Sequence, residues 1–177
     1  MTFDPSIRLR QSGQALRRLT QSDLPRLRQF WKENWGDEFV IAHGVIYYPD
    51  TLDGFVAFDN DKWIGEITYH LSGNECEIVS LDSLREGQGI GTALIETVVK
   101  ETRTKGCQRI FLITTNDNLK ALGFYQKRGF ELVAVYRGAV NESRRAKPSI
   151  PLIGNDGIPL RDEIELEMSL RRRAESR

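Results

Sequence analysis

The stretch "SLREGQGIGTALIETVV" (residues 83–99) places glycines at 87, 89 and 91 and then runs straight into a helical apolar pattern. Ile90, Leu94, Ile95, Val98 and Val99 form one stripe, and Gly106 supplies a natural stop. A strand-like run, "CEIVSL", precedes the glycines. A strand that enters a helix through glycines leaves the first helical amides without intrahelical partners and adds the positive end of the helix dipole. Missing Cβ atoms let an anion approach those amides. The pattern therefore predicts an α/β domain with an anion cradle at one strand-helix junction. A Walker loop requires GxxxxGK[ST], and no lysine follows here. The dinucleotide pattern requires GxGxxG early in a βαβ unit, whereas this spacing is GxGxG in mid-chain.

The flanking segments define the fold class. "LTQSDLPRLRQFWKENWG" reads as a first helix, with Thr20 as N-cap, Asp23 at the third position, Pro25 near the start and Gly36 at the end. "EFVIA" and "VIYY" read as strands, and "GFVAFDNDKWIGEITYHL" reads as a hairpin turning at Asn60-Asp61. "RIFLITT" has the continuous apolar character of a strand buried on both faces. A short helix, "NLKALGFYQKRG", and the strand "FELVAVYRG" follow. "DEIELEMSL" alternates, with Ile164, Leu166, Met168 and Leu170 inward and Glu163, Glu165 and Glu167 expected on a solvated face. The connection from about Gly138 to Leu160 is long for a compact domain, which marks it as functional or mobile. The order predicts an α/β domain with a mixed central sheet.

Composition narrows the function. The 177 residues fit one domain, 1–177, with a core over about 8–170 and a basic tail at 171–177. Formal net charge is zero, so the basic excess of a nucleic-acid binder is missing. No apolar run approaches ~18 residues, and no signal-peptide pattern opens the chain, so the expectation is a cytoplasmic protein without a membrane span. Two cysteines and two histidines in no ligand spacing predict no metal site.

"REGQGIGTAL" resembles the pyrophosphate loop of the GNAT superfamily, the acyl-CoA-dependent N-acyltransferases, whose pattern is [QR]-x-x-G-x-[GA]. Gly89 and Gly91 fall on its small positions, and Glu86 stands where the family carries Gln or Arg. That carboxylate is expected to weaken, not abolish, pyrophosphate binding. "NLKALGFYQKRGFE" resembles the family segment N-x-x-A-x-x-F-Y-x-x-x-G-F, with Asn118, Ala121, Phe124, Tyr125, Gly129 and Phe130 in register. The resemblance implies that the central sheet is mostly antiparallel and twisted, with helices on both faces. It also implies an acetyl-CoA-dependent N-acetyltransferase acting on a primary amine of a small molecule or peptide by direct attack in a ternary complex. The alternative is a non-catalytic acyl-CoA-binding regulatory module. A homodimer is a further possibility, since many members are dimers.

The resemblance also implies site residues. Arg85, Glu86, Gly87, Gln88, Gly89, Ile90, Gly91 and Thr92 would cradle the pyrophosphate. The backbone of Leu81, Asp82 and Ser83 would pair with the pantetheine arm, which Asn118 would also contact. Tyr125 would be the general acid to the departing thiolate, the alternative being a core aromatic. Glu75, Glu77, Val79 and Leu81 are expected on one strand face. Glu77 is the first choice of base for the acceptor amine, Glu75 the second and Asp82 the third. An acceptor pocket would form from aromatics that include Trp31, Trp35, Phe39 and Tyr47, together with His43 and the long loop, the alternatives being core aromatics and a structural histidine. Arg144, Arg145 and Lys147 there could read an acidic group on the acceptor or serve as ordinary surface charge.

Overall fold

The computed structural model describes residues 7–8 and 13–171. The N-terminal half runs β1 (Ile7–Arg8), β2 (Gln14–Arg18), α1 (Leu24–Trp35), β3 (Val40–Ala42), β4 (Val45–Tyr47), β5 (Asp53–Asp59), β6 (Lys62–Ser72) and β7 (Glu75–Ser83). It continues through α2 (Ile90–Thr104), β8 (Arg109–Thr115), α3 (Leu119–Gln126), β9 (Glu131–Tyr136), α4 (Ala139–Ala146) and β10 (Glu163–Ser169). Of the expected basic tail, residues 172–177 lie outside the described residues.

Eight strands form one sheet in the order β1-β2-β5-β6-β7-β8-β10-β9. Its neighbours are antiparallel except β7 and β8, which run parallel. Parallel strands need a crossover, and α2 is that crossover. This is the mixed, mostly antiparallel sheet expected from the sequence.

The two faces carry separate cores. Along β5, Phe55 and Ala57 join one apolar cluster with Ile90, Leu94 and Val98 of α2, while Val56 joins another with Leu27 and Trp31 of α1. Alternate residues of a strand point to opposite faces, so α1 and α2 cover opposite sides of the sheet. The first helix begins with a 3-10 turn at Gln21–Asp23. There the Asp23 carboxylate accepts the Thr20 backbone N–H at 2.8 Å and Arg17 at 2.6 and 2.8 Å. Gly36 ends α1 at φ 77°.

Four expectations need correction. The strands in "EFVIA" and "VIYY" pair with each other as a separate two-stranded ribbon, not with the main sheet. Their turn has positive φ at both His43 (48°) and Gly44 (77°), the tight geometry that favours a hairpin. The connection at 138–160, expected as a long functional or mobile loop, contains α4, and Arg144 there holds the carbonyls of Ile150, Pro151 and Leu160. The glutamates of β10 are not a solvated face: Glu163 and Glu165 are buried. Glu163 accepts the His43 backbone N–H and the Ser143 hydroxyl, and Glu165 meets Arg109 and the Tyr136 hydroxyl.

The fourth correction shapes the site. Opposite β6, Tyr69 faces Ile78 and Thr68 faces Ser80, so Val79 is an extra residue in β7. This β-bulge resets the alternation. Val79 packs in the α1 cluster with Tyr47, the partner of Glu77, while Leu81 packs in the α2 cluster. Leu81 therefore does not share the face of Glu77 and Val79. At the same place the sheet opens. β7 pairs with β8 only from Glu75↔Arg109 to Ile78↔Leu112, although both strands continue.

Candidate active site

A cleft of about 630 Å³ fills the mouth of this split. Its wall includes Leu81, Asp82, Ser83, Arg85, Glu86, Gly87, Gly89, Ile90, Gly91, Thr92 and Tyr125. The structure thus gathers ten of the twelve expected cofactor residues and the expected acid in one place. Gln88 instead accepts a hydrogen bond from Gln14 at 3.3 Å. Asn118 caps α3, its side chain accepting the Ala121 N–H at 3.1 Å.

The three glycines serve different needs. Gly87 and Gly89 have φ of 76° and 78°, and a Cβ on either would meet open space among the described residues. They are required by conformation. Gly91 is favoured by packing, because a Cβ there would sit 3.0 Å from the Phe124 ring, closer than ordinary contact. Gly89 is the N-cap of α2, and the first intrahelical bond runs from Ala93 N–H to its carbonyl at 3.0 Å. The amides before Ala93 are left without an intrahelical partner at the edge of the cleft.

Charge at the rim is mixed. Arg85 is paired with Asp59. Glu86, the departure from the family pattern, is exposed and lies 3.7 Å from Lys120. Arg128 donates to the Thr92 hydroxyl at 2.7 and 3.0 Å and lies over the Phe124 ring at 3.5 Å. A second groove, about 730 Å³, adjoins the cleft at Thr92 and Arg128 and carries Lys100, Arg103 and Lys127.

The inner wall of the cleft carries one carboxylate, Asp82, with a second, Glu66, buried behind it. Asp82 has its Oδ2 buried with no hydrogen-bond partner among the described residues. Burial pushes its carboxyl up to about 6. Directly across the ladder stands Glu66, 1 % exposed. Glu66 accepts the Ser80 hydroxyl at 2.9 Å and the Trp31 indole N–H at 3.4 Å. Burial, and then the charge of Asp82, push it up to about 8. Tyr125 is buried, and desolvation followed by Asp82 and Glu66 raises its pKa well above the usual phenol value.

The expected base and the expected acid do not share this cleft. Glu77 accepts the Tyr47 hydroxyl at 2.6 Å and lines a different cleft, about 510 Å³, with Glu75, His70 and Phe111. Burial raises its pKa, and the Tyr47 hydrogen bond opposes that. The expected acceptor residues are gathered only in part: Trp35, Phe39 and Lys147 line a small pocket of about 190 Å³, and the others lie elsewhere. Trp35 stacks on Trp31 at 5.7 Å. His43 sits in the β3–β4 turn with its ring 4.1 Å from Tyr136. Arg145 pairs with Glu142 on the surface. The Lys147 ammonium is spent on the Trp35 and Phe39 carbonyls at 3.1 and 3.4 Å. Arg144, Arg145 and Lys147 therefore point to three separate sets of partners.

Sequence reasoning missed Glu66, Lys120 and Arg128. Glu66 had one usable signal, a lone charge inside the apolar run "WIGEITYHL". Among the described residues, no cluster of three or more His, Cys, Asp or Glu is placed to hold a metal ion, and no helix is long and apolar enough to cross a membrane.

Known proteins share this fold and, in part, this sequence. A family model described as acetyltransferase (GNAT) family matches residues 15–130. The chain is 49% identical over 139 residues to the uncharacterized protein YdhI of Bacillus subtilis, covering 78% of this chain and 87% of that one. An IAA acetyltransferase from Bacillus cereus superposes with a TM-score of 0.68 at 20% identity, covering 88% of this chain and 99% of its own. A GNAT family acetyltransferase from Elizabethkingia anophelis with acetyl-CoA bound superposes with a TM-score of 0.67 at 22% identity, covering 90% and 99%. With the glycine loop, the bulged strand and the opened sheet all in place, the chain belongs to the GNAT family of acetyltransferases.

Proposed function

We propose that this protein is an acetyl-CoA-dependent N-acetyltransferase that acetylates a primary amine of a small molecule or peptide by direct attack in a ternary complex. One observation carries the reading. Beyond Ile78, β7 parts from β8, and the cleft at that opening is lined by the glycine loop, Tyr125 and Asp82. The residues fit the cofactor. Gly87 and Gly89 keep the backbone uncovered beside the unbonded amides of α2, which suit a pyrophosphate. The groove with Lys100, Arg103 and Lys127 suits the remaining phosphate of a nucleotide end. The acetyl-CoA-bound neighbour supports the same choice.

Acetyl-CoA, when bound, supplies the acetyl group as a thioester whose sulfur departs as a thiolate. The chain's residues then divide the work. The glycine-loop amides hold and orient the donor. The backbone of Leu81 to Ser83 lies along the cleft, where strand-like pairing would align the pantetheine arm. The Tyr125 hydroxyl stays protonated throughout the neutral range and donates to the sulfur. With a pKa raised above that of a thiol, it transfers its proton only to a thiolate held in contact. A β7 carboxylate takes the proton that the acceptor ammonium must lose. Asp82 shares the cleft with Tyr125, and Glu77 stands on the far side of the bulge.

The test combines binding and turnover. Calorimetric titration with acetyl-CoA, NAD and ATP should show saturable binding of acetyl-CoA alone. Thiol release with a broad amine panel should then exceed hydrolysis. Neither binding nor consumption of acetyl-CoA would sink the proposal. Binding without turnover, unchanged in Tyr125→Phe, would instead favour the regulatory module.

A further inference from the structure

Glu66 and Asp82 are a like-charged pair set directly opposite each other in the β6–β7 ladder. Like charges in that position repel, and burial deepens the penalty. Glu66 is fully buried against α1, held by Ser80 and Trp31, and Ser80 is held in turn by Thr68. Asp82 lies at the open edge of β7, lines the cleft, and keeps one buried oxygen unpartnered. The groups facing the pair are few. Trp31 on α1 is neutral, Ser80 and Thr68 are hydroxyls, and Tyr125 on α3 is a phenol with Arg128 behind it. No cation pairs with either carboxylate among the described residues.

From this juxtaposition we infer that Glu66 and Asp82 hold one proton between them in the resting protein, and that Asp82, tuned by Glu66, is the base that receives the proton of the acceptor ammonium. The inference rests on the acetyltransferase reading and decides which carboxylate serves it. Asp82 touches the reacting groups, and Glu66 is a positioning residue that sets its basicity. The step balances simply. One N–H bond of the ammonium breaks and its electron pair stays on nitrogen. One O–H bond forms at Asp82, and the pair passes from one proton to two, to be relieved by solvent after transfer. The raised affinities of the two carboxyls agree with one proton kept near neutrality.

The first measurement uses the protein without ligands. Carboxyl titration by difference infrared spectroscopy or carbon-13 NMR should show two midpoints between about pH 5 and 9 in the wild type, and one in either Glu66→Gln or Asp82→Asn. The second is the pH profile of kcat/KM. Glu66→Gln should move its low-pH limb up by roughly one unit, because it removes the Glu66 proton that stabilises the Asp82 carboxylate, with KM for acetyl-CoA within about twofold. Asp82→Asn should remove that limb and lower kcat by on the order of 10²-fold or more. A thermal melt at pH 5, where both carboxyls are protonated, checks that the variants fold. Both carboxyls titrating below about pH 5 would overturn the shared proton. A limb that moves in Glu77→Gln but not in Glu66→Gln would overturn the base and return the role to Glu77. Absence of any acetyl-CoA turnover would remove the base along with the proposed function, while the ligand-free titration would still report on the pair, so the two failures are separable.

Discussion

The two sides of the sheet were assembled in different ways. On the α2 side, everything that shapes the cofactor cleft comes from two contiguous segments, residues 81–92 and 120–128. On the α1 side, the polar groups come from β4, β7, β10, the β3–β4 turn and α4, and they meet only through long-range contacts such as Tyr47 with Glu77 and His43 with Glu163. A contiguous site is specified by local rules, by glycines where φ must be positive and by a cap where a helix must start. A dispersed site depends on register, and one bulge at Val79 is enough to change which side chains share a face. The difference teaches that the glycine-loop cleft is specified by local rules, whereas the polar groups on the α1 side are placed by long-range register.

The sharpest way to break that comparison is at its meeting point. Tyr125→Phe should lower kcat by roughly 10²- to 10⁴-fold while the acetyl-CoA Kd, measured by calorimetry, stays put. A fall of less than about threefold would make Tyr125 a core aromatic, packed between Phe124 and Phe130.

The pair behind it gives a pH signature. Glu66 and Asp82 both have folded pKa values above the usual carboxylate range, at about 8 and about 6. The folded chain therefore binds more protons than the unfolded chain between those usual values and about pH 8, so stability falls as pH rises through that window. Glu66→Gln should flatten this slope, gaining on the order of 1–3 kcal/mol over wild type at pH 8 and little at pH 5, as read from denaturant midpoints at the two pH values. An unchanged slope would place the protons elsewhere.

Within the donor half, two glycines should fail differently. Gly91→Val drives side-chain atoms into the Phe124 ring and should cost about 1–3 kcal/mol of stability through overpacking of α2 on α3. Gly89→Ala has open space but a left-handed φ, and should cost about 1–2 kcal/mol while loosening acetyl-CoA. Equal effects from both substitutions would deny the distinction between packing and conformation.

On the acceptor side, Lys147→Met removes two hydrogen bonds to the carbonyls of Trp35 and Phe39. The expected loss is about 1–2 kcal/mol, with a raised acceptor KM and an unchanged acetyl-CoA Kd. A change in acetyl-CoA binding instead would show that the two halves are coupled. The smallest effect belongs to Glu86→Gln. Its carboxylate is exposed beside Lys120, so acetyl-CoA affinity should change by less than about threefold. A larger gain would mean that Glu86 does oppose the pyrophosphate.

The sequence by itself determined the glycine-loop junction and most of the order of elements, but not the two strands before α1 or helix α4. Alternation, apolar stripes and glycine stops act within a few residues, so the hairpin at Asn60, the helix after Gly89 and the strand at 109–115 could be read directly. Even there the reason for each glycine was invisible, because Gly91 is explained only by the distant Phe124 ring. Only the tertiary structure decided the acceptor half. The bulge at Val79 turns Leu81 to the other face, Glu163 of β10 is held by a ribbon 120 residues upstream and by Ser143 of α4, and Lys147 finds its carbonyls more than a hundred residues upstream. Most of all, Glu66 was a lone charge in an apolar run, with no partner legible in the sequence until the register set it opposite Asp82. Local rules act along the chain, whereas burial and charge coupling are properties of neighbours in space. The chemistry of this site depends on those neighbours.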